Sequence, residues 1–282
     1  MEDLRQVIIE RIAPSLGAEV TGIDLSAMAE ADVHRLKATL TDRKLLVFRD
    51  QTLSAEHYAA FCRRFGSPVP EDLEVAGRPR EVGVIHIRAN ERQRINFWHM
   101  DHSFRELPSA YICLFARTLP PCGGDTLFTS LEAAYAGLDA ELQAEISDLH
   151  SEHAYTETQN SRRRFSKKDI AKRSVAPPIH HPLVARNPEN GRPYLFVNTP
   201  VYCRRIVDRP DADGDRVLRK LYRHVQRPEF HVRVVWRPGT VVLWENAHCL
   251  HYPVADYFPH ERLLWRVVVP GALGRPQLYK RA

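Results

Sequence analysis

Short strand-like segments recur along this chain without the regular helix between successive strands that a doubly wound parallel sheet requires. Residues 45–48 and 240–244 form continuous apolar runs, typical of buried strands, and the chain beyond residue 180 is rich in such segments. Helical periodicity is strongest at 130–149, and no GxGxxG or P-loop pattern is present. These patterns predict one α+β domain, residues 1–282, with a mainly antiparallel sheet pair or barrel and helices packed outside it.

The composition indicates an ordinary globular protein, with 44% hydrophobic and 27% charged residues. No apolar run reaches the roughly 18 residues that a membrane span needs, so no membrane association is expected. The first residues, 1–5, begin acidic and lack the basic-then-apolar pattern of a signal peptide. The five cysteines are odd in number and scattered, without a CxxC pair. Both features favour a reducing, cytoplasmic location over a disulfide framework or a zinc knuckle.

Much of the net charge of +5 comes from one basic segment, at 162–168 and 172–173. The segment lies in a span, 154–178, that has no clear period, and we interpret this span as a long mobile loop. No aromatic stacking platform, helix-turn-helix or RRM signature accompanies the basic residues, so nucleic acid is not an expected partner. The segment is interpreted as a solvated basic loop or lid, or as a funnel for an anionic substrate.

The stretch Trp98-His99-Met100-Asp101 carries the first chemical signal. On an extended strand, residues two apart point to the same face, so His99 and Asp101 would project into one space. An imidazole and a carboxylate are two of the three ligands of a facial triad, which holds non-haem Fe(II) with open positions. The pair alone is weak, because a buried histidine hydrogen-bonded to an aspartate is common. A third ligand, a histidine far downstream, would be needed.

A second signal is a pair of arginines, Arg262 and Arg266, on a strand-like apolar segment. A spacing of four places both guanidinium groups on the face that Leu264 and Val268 share. Cations on an apolar strand face are costly unless each meets an anion. The pair therefore fits either recognition of a carboxylate-like ligand or two salt bridges at a barrel rim.

Several motifs, taken in their order along the chain, resemble the Fe(II)/2-oxoglutarate-dependent dioxygenases of the taurine dioxygenase type. The likeness runs from Gly17 almost to the C-terminus. Its marks are Gly17-Ala18-Glu19-Val20-Thr21-Gly22-Ile23-Asp24-Leu25, Val47-Phe48-Arg49-Asp50-Gln51, Trp98-His99-Met100-Asp101, Gly123-Gly124-Asp125-Thr126, Leu195-Phe196-Val197-Asn198, and Trp244-Glu245-Asn246 leading to His251-Tyr252 and Arg262. The resemblance implies a double-stranded β-helix, or jelly-roll, core with flanking helices.

The resemblance also implies a role for each matching residue. His99, Asp101 and His251 would ligate Fe(II), Thr126 and Arg262 would bind the distal carboxylate of 2-oxoglutarate, and Arg266 would bind the substrate.

Other histidines are assigned lesser roles. His248 competes with His251 as the downstream ligand, and the alignment of motifs favours His251. His180 and His181 match a segment of the family that does not ligate, so they are expected to be structural. His102 is expected to be exposed or to lie just behind the ligands.

The implied reaction consumes O2 and 2-oxoglutarate, releases succinate and CO2, and oxidises a substrate C–H bond, most simply by hydroxylation. In the taurine enzyme a histidine and a tyrosine follow the Phe-Gly at the end of the second helix. Here Phe65-Gly66 is followed by residues 67–73, which contain neither, so taurine is disfavoured as the substrate. Arg266 and the basic segment still predict a small anionic substrate, and the family predicts a dimer or tetramer. A non-catalytic β-helix binding module and a zinc hydrolase remain alternatives.

Overall fold

The computed structural model describes residues 7–70, 77–155, 177–271, 274 and 276–279. The strands are β1 (Ile8–Arg11), β2 (Ala18–Thr21), β3 (Leu45–Phe48), β4 (Gly83–Ile87), β5 (Ser109–Thr118), β6 (Thr126–Ser130), β7 (His150–His153), β8 (Ile179–Pro182), β9 (Val184–Arg186), β10 (Pro193–Leu195), β11 (Cys203–Ile206), β12 (His231–Val234), β13 (Val241–Glu245), β14 (Cys249–Pro253), β15 (Arg262–Pro270) and β16 (Gln277–Leu278). The helices are α1 (Glu30–Arg43), α2 (Ala55–Arg63), α3 (Leu131–Ala136), α4 (Ala140–Ile146) and α5 (Asp211–Val225). This mixture of segregated helices and sheets confirms the predicted α+β class.

One large sheet forms the frame of the molecule. Its seven strands run in the order β1-β2-β3-β13-β5-β15-β4, and all neighbours pair antiparallel except β2 and β3. The central strands are apolar on both faces because both faces are covered; all four residues of β3 are buried. Three smaller sheets, each of three strands, have the orders β12-β6-β14, β10-β9-β16 and β11-β7-β8.

Helices α1 and α2 cover one face of the large sheet. Their buried residues, including Leu36, Leu40 and Tyr58, pack with Leu46 and Phe48 of β3. Ser54 caps α2, since its side chain accepts a hydrogen bond from the backbone N–H of His57.

The opposite face of the large sheet packs against the β12-β6-β14 sheet. A core cluster joins the two, with Leu114, Trp244 and Leu264 from the large sheet and Phe128 and Val232 from the small one. The predicted site residues lie on these strands: Thr126 on β6, His251 on β14, and the two arginines on β15. The space between the two sheets is therefore where these side chains can meet.

The prediction of a single helix over 130–149 is wrong. Two short helices, α3 and α4, occupy this span, and Gly137 ends the first. A Cβ at position 137 would lie 2.8 Å from Cζ of Phe230, so a larger residue here would force the ring to shift. Asp139 then restarts the helix, because its side chain accepts a hydrogen bond from the N–H of Leu142. The apolar stripe survives the break, since both helices bury it in one cluster.

Most of the predicted mobile loop 154–178, including the basic segment 162–173, lies outside the described residues. Within the described part of the chain, no helix combines the length and the apolar character that a bilayer crossing demands.

Candidate metal centre and anion pocket

Three side chains from distant parts of the chain converge between the two facing sheets. His99, Asp101 and His251 each offer one possible ligand atom, and these atoms lie within 4.8 Å of one another. The imidazole centroids of His99 and His251 are 4.1 Å apart, and Nε2 of His99 lies 3.7 Å from Oδ1 of Asp101. Among the described residues this is the one group of three or more such side chains arranged to hold a metal ion.

The backbone fixes the two histidines directly. His99 and His251 form an isolated antiparallel bridge, in which each N–H donates to the other's carbonyl oxygen at 2.9 and 2.8 Å. Met100, between the two upstream ligands, is fully buried on the opposite side, so His99 and Asp101 both face the cavity as the two-residue period predicts. Trp244 supports the downstream imidazole, with ring centroids 5.2 Å apart.

The electrostatics leave His251 and Asp101 in the protonation states that bind metal. Burial first, and then the proximity of His99, lowers the pKa of His251 to about 3, so this imidazole is neutral at pH 7. Burial acts to raise the pKa of Asp101, but the neighbouring imidazoles, that of His251 foremost, and the Arg266 guanidinium hold this pKa well below its ordinary value. The neutral imidazole of His251 and the carboxylate of Asp101 thus face one point.

The contacts of the ring nitrogens show which atoms of His99 and His251 could bind a metal ion. Nδ1 of His99 donates to the carbonyl oxygen of Phe97 at 3.0 Å, which leaves the lone pair of Nε2 directed toward Asp101. Nδ1 of His251 is buried without a hydrogen-bond partner among the described residues. The donor set, two histidines and one carboxylate with open positions, fits a non-haem ferrous ion.

The three ligands lie at the wall of one cavity, whose empty volume is about 760 Å³ including the part open to solvent. Thr126, Arg262 and Arg266 line the same cavity, so all six residues predicted for the site meet there. Its apolar wall includes Ile85, Ile87, Ile95, Leu114 and Leu264.

Arg262 is a buried cation without an anion. It is 3% exposed, its guanidinium lies 5.6 Å from the ring centroid of Trp236, and 5.9 Å from that of Tyr257. Burial lowers its pKa to about 10, so it still carries its charge at pH 7. Within the described part of the chain it makes no ion pair, and its Nε has no hydrogen-bond partner. Such a group is costly unless a ligand supplies the negative charge.

Thr126 can donate a hydrogen bond to the anion that Arg262 would bind. The indole Nε1–H of Trp236 donates to Oγ1 of Thr126 at 3.1 Å, which leaves the hydroxyl hydrogen of Thr126 free to point elsewhere. Trp236 therefore touches both residues predicted to bind the distal carboxylate. No role was predicted for this tryptophan from the sequence; an indole at the end of a strand-like run, which needs a partner when buried, was the available signal.

Arg266 has a different environment from Arg262. Its Nη1 lies 3.6 Å from Oδ2 of Asp101, so the salt-bridge alternative holds in part: the anion it meets is the carboxylate of the site itself. Its side chain is 14% exposed and lines the cavity. This position allows the guanidinium to contact a ligand in the cavity while it remains beside Asp101.

The remaining histidines lie elsewhere. His248 is fully buried outside the cavity, with Nδ1 2.7 Å from Oε2 of Glu245. His102 is half-buried behind the ligands, where Nδ1 lies 2.6 Å from Oγ of Ser109.

The two histidines of β8 differ in burial. His180 is exposed, and its Nε2 lies 3.8 Å from Oε2 of Glu152. Nε2 of His181 lies 3.0 Å from the carbonyl oxygen of Ser103, deep in the protein. The structural role expected of both agrees with these contacts.

Two buried asparagines, Asn198 and Asn246, also contact the backbone at residues 100 and 101, and the motifs that contain them predict no role for either side chain. Both are 0% exposed. Asn198 hydrogen-bonds to the backbone of Met100, and Asn246 hydrogen-bonds to the backbone of Asp101. The signal that could have identified them is an amide directly after an apolar strand, which must find partners if buried.

Comparisons with known proteins agree with this arrangement. An alpha-ketoglutarate-dependent 2,4-dichlorophenoxyacetate dioxygenase from Cupriavidus pinatubonensis is 32% identical over 266 residues, covering 87% of this chain and 91% of that protein. A taurine dioxygenase from Burkholderia xenovorans has a crystal structure similar to this one, with a TM-score of 0.80, 30% identity, and coverage of 94% of this chain and 90% of that one. The crystal structure of AAD-2 in complex with Mn(II) and N-oxalylglycine has a TM-score of 0.79 at 25% identity, covering 97% of this chain and 100% of that one.

The family model described as taurine catabolism dioxygenase TauD, TfdA family matches residues 9–268. This range contains the His99-Asp101-His251 group and the three other predicted site residues, Thr126, Arg262 and Arg266. The chain belongs to the TauD, TfdA family of dioxygenases.

Proposed function

We propose that this chain is an Fe(II)- and 2-oxoglutarate-dependent dioxygenase that hydroxylates a C–H bond of a small organic anion. The observation that carries the proposal is the buried, unpaired guanidinium of Arg262 in the same cavity as His99, Asp101 and His251. A metal site alone fits several enzyme classes, including zinc hydrolases. A metal site beside a buried cation that needs an anion fits a co-substrate with a keto acid at one end and a carboxylate at the other.

The chain's own residues divide the work of binding. His99, Asp101 and His251 would hold Fe(II), while Thr126 and Arg262 would bind the distal carboxylate of 2-oxoglutarate by two charge-assisted hydrogen bonds or more. When bound, Fe(II), 2-oxoglutarate and O2 supply the oxidative chemistry, which yields succinate and CO2 and places one oxygen atom in the substrate.

The substrate side of the cavity combines apolar walls with positive charge. Among the described residues that line the cavity, three are arginines (Arg94, Arg262 and Arg266), and Asp101 is the one carboxylate. With Arg262 assigned to 2-oxoglutarate, Arg266 remains for the anionic group of the substrate. The isoleucine wall, Ile85 and Ile87, favours a hydrocarbon or aryl body attached to that anion, and it keeps water from the reacting C–H bond.

This combination favours aryloxy acids, alkyl sulfonates and sulfate esters over taurine. One similar protein is named for 2,4-dichlorophenoxyacetate and another for taurine, and both compounds are organic anions. Taurine carries an ammonium group close to its sulfonate, and a wall of isoleucines offers that group no partner.

The same proposal includes the architecture. The large sheet and the β12-β6-β14 sheet would be the two halves of a jelly roll, with α1 to α5 outside it, and residues 1–282 would form a single domain. The five cysteines are free, which supports a cytoplasmic location. The expected dimer or tetramer is a prediction for light scattering of the purified protein.

The experiment is an anaerobic titration of the protein with Fe(II) and 2-oxoglutarate. We expect a weak visible charge-transfer band, followed on exposure to O2 by succinate release that increases with the correct substrate. Asp101→Ala should abolish both signals, and Asp148→Ala, at an exposed carboxylate far from the cavity, should change neither. A band without substrate-dependent succinate across aryloxy acids, sulfonates and sulfate esters would indicate a binding module, whereas hydrolysis with Zn and no band would indicate a zinc hydrolase.

A further inference from the structure

The backbone that carries Asp101 has no strand partner. The bridge between His99 and His251 ends at His99, and the chain turns at once, with His102 in the left-handed region at φ 60°. The peptide groups of Met100 and Asp101 are therefore left without the ladder hydrogen bonds that fix His99. Buried peptide groups in this position need other partners.

Asn246 supplies the partners for Asp101. Its Oδ1 accepts from the N–H of Asp101 at 3.2 Å, and its Nδ2 donates to the carbonyl oxygen of Asp101 at 2.8 Å. The same Nδ2 donates to the carbonyl oxygen of Ser109 at 3.0 Å, at the start of β5. One side chain, 0% exposed, thus holds both polar groups of the ligand residue and ties them to the large sheet.

Asn198 does the same for Met100. Its Oδ1 accepts from the N–H of Met100 at 3.1 Å, and its Nδ2 donates to the carbonyl oxygen of Met100 at 2.9 Å and to Oγ of Ser103 at 2.7 Å. The two amides act from different elements, since Asn198 follows β10 and Asn246 follows β13. Between them, the peptide planes on both sides of the Asp101 Cα are fixed.

We infer that Asn246, assisted by Asn198, is a positioning residue that sets the carboxylate of Asp101 against the two histidines. The inference rests on the proposed function, because it concerns the third ligand of the proposed iron site. With four backbone groups restrained, the Cα–Cβ bond of Asp101 has one direction, and the carboxylate arrives with the ligand geometry already formed. Without the restraint, the turn would let the carboxylate move from the metal while both histidines stay in place on their bridge.

The competing interpretation is that these asparagines only satisfy buried polar groups and so contribute to stability. The chain offers a matched control in Asn187, which is also 0% exposed and donates from Nδ2 to Oε1 of Glu132 at 2.8 Å. Removal of any buried amide leaves its hydrogen-bond partners unsatisfied and lowers the stability of the protein. Only removal of a positioning residue should also change metal affinity.

The experiment compares Asn246→Ala, Asn187→Ala and the unchanged protein by two measurements: thermal unfolding, and anaerobic titration with Fe(II) in saturating 2-oxoglutarate, followed by the charge-transfer band. We expect both variants to unfold at lower temperature, but only Asn246→Ala to bind Fe(II) about 10- to 100-fold more weakly, which is the usual effect of losing an outer partner of a metal ligand.

Unchanged Fe(II) affinity in Asn246→Ala, with a loss of stability like that of Asn187→Ala, would overturn the inference. If Asn246→Ala does not fold, Asn198→Ser decides: weakened Fe(II) binding supports the inference and unchanged binding overturns it. Failure of the unchanged protein to give any band would instead count against the proposed function, so the two failures are distinguishable.

Discussion

Arg262 and Arg266 lie on the same strand, β15, yet their surroundings differ. Arg262 lies between two aromatic rings and meets no anion among the described residues, whereas Arg266 lies beside the carboxylate of Asp101. A cation without a partner is preorganised for an incoming carboxylate, while one already near the metal ligands can contact a group that enters beside them. The two side chains are therefore suited to different ligands.

Exchange of each arginine for alanine should separate the two ligands. Arg266→Ala should raise the KM for the organic substrate about 10- to 100-fold, the range for a lost charge-assisted interaction, and should change the KM for the keto-acid co-substrate much less. Arg262→Ala should do the reverse. Steady-state succinate formation with each ligand varied in turn gives both constants. Equal effects of either variant on both KM values would contradict this division.

Trp236 offers a finer test of the 2-oxoglutarate pocket. Trp236→Phe keeps an aromatic face beside Arg262 but removes the N–H that orients Thr126. We expect 2-oxoglutarate to bind about three- to tenfold more weakly, the effect of one misdirected hydrogen bond, with Fe(II) affinity unchanged. Trp265→Phe is the control, since Trp265 contacts Arg117 and Phe115 away from the cavity. A similar loss in both variants would point to a general effect of removing an indole from the sheets.

Gly137, at the break between α3 and α4, has little room for a side chain. The φ of Gly137, −84°, is open to any residue, so the conformation does not demand glycine; the ring of Phe230 does. Gly137→Ala should destabilise the protein by about 1–3 kcal/mol, the usual cost of overpacking. Urea unfolding would measure the loss, and Phe230→Leu in the same chain should recover part of it. Strictly additive effects of the two substitutions would show that the contact is not the cause.

This break also shows what sequence patterns miss among the elements. Residues 130–149 keep one apolar stripe through both helices, so periodicity alone predicts one helix. The interruption has its own local signals, since Gly137 is a poor helix former and Asp139 a good N-cap, whereas the close approach of Phe230 to Gly137 depends on a residue remote in sequence. By contrast, β3 follows from its own continuous apolar run, and the sequence predicts it.

The candidate site also contains residues that the sequence predicts and residues that it does not. The period-two spacing of His99 and Asp101 correctly predicts a shared direction, and the motif order predicts that Thr126, His251 and Arg262 meet them in one cavity. The contacts of Trp236, Asn198 and Asn246 could not be predicted, because each depends on the register between elements far apart in the chain. The sequence therefore predicts the residues that would bind Fe(II) and 2-oxoglutarate, but not the side chains of Trp236, Asn198 and Asn246 that contact those residues.

The stability of the whole protein should fall in mild acid. His153 on β7 is fully buried, and burial, followed by the proximity of His181, lowers its pKa well below the ordinary value of 6.5. The folded protein thus keeps this imidazole neutral while the unfolded chain takes up a proton as the pH falls below about 6.5. Because the unfolded state then binds more protons, the free energy of unfolding decreases by up to about 1.4 kcal/mol per pH unit.

His153→Gln should reduce the slope between about pH 6.5 and 5 without abolishing it, because glutamine can still contact Oγ of Ser151 but does not titrate, whereas the pKa of buried His251 is also lowered. Urea unfolding at a series of pH values gives the slope. His180→Gln is the control, since His180 on the paired strand β8 is exposed. The same slope in His153→Gln as in the unchanged protein would exclude this histidine as the source.

Asp101 and its anchor Asn246 are 145 residues apart in the chain, and the histidine bridge spans a similar separation. An unfolded or half-folded polypeptide cannot bring these groups together, so iron binds the native state alone. Each tenfold rise of free iron above its dissociation constant then adds about 1.4 kcal/mol to native stability. Iron scarcity would accordingly shorten the lifetime of the polypeptide against proteases, so that the metal governs how much enzyme persists as well as whether it turns over.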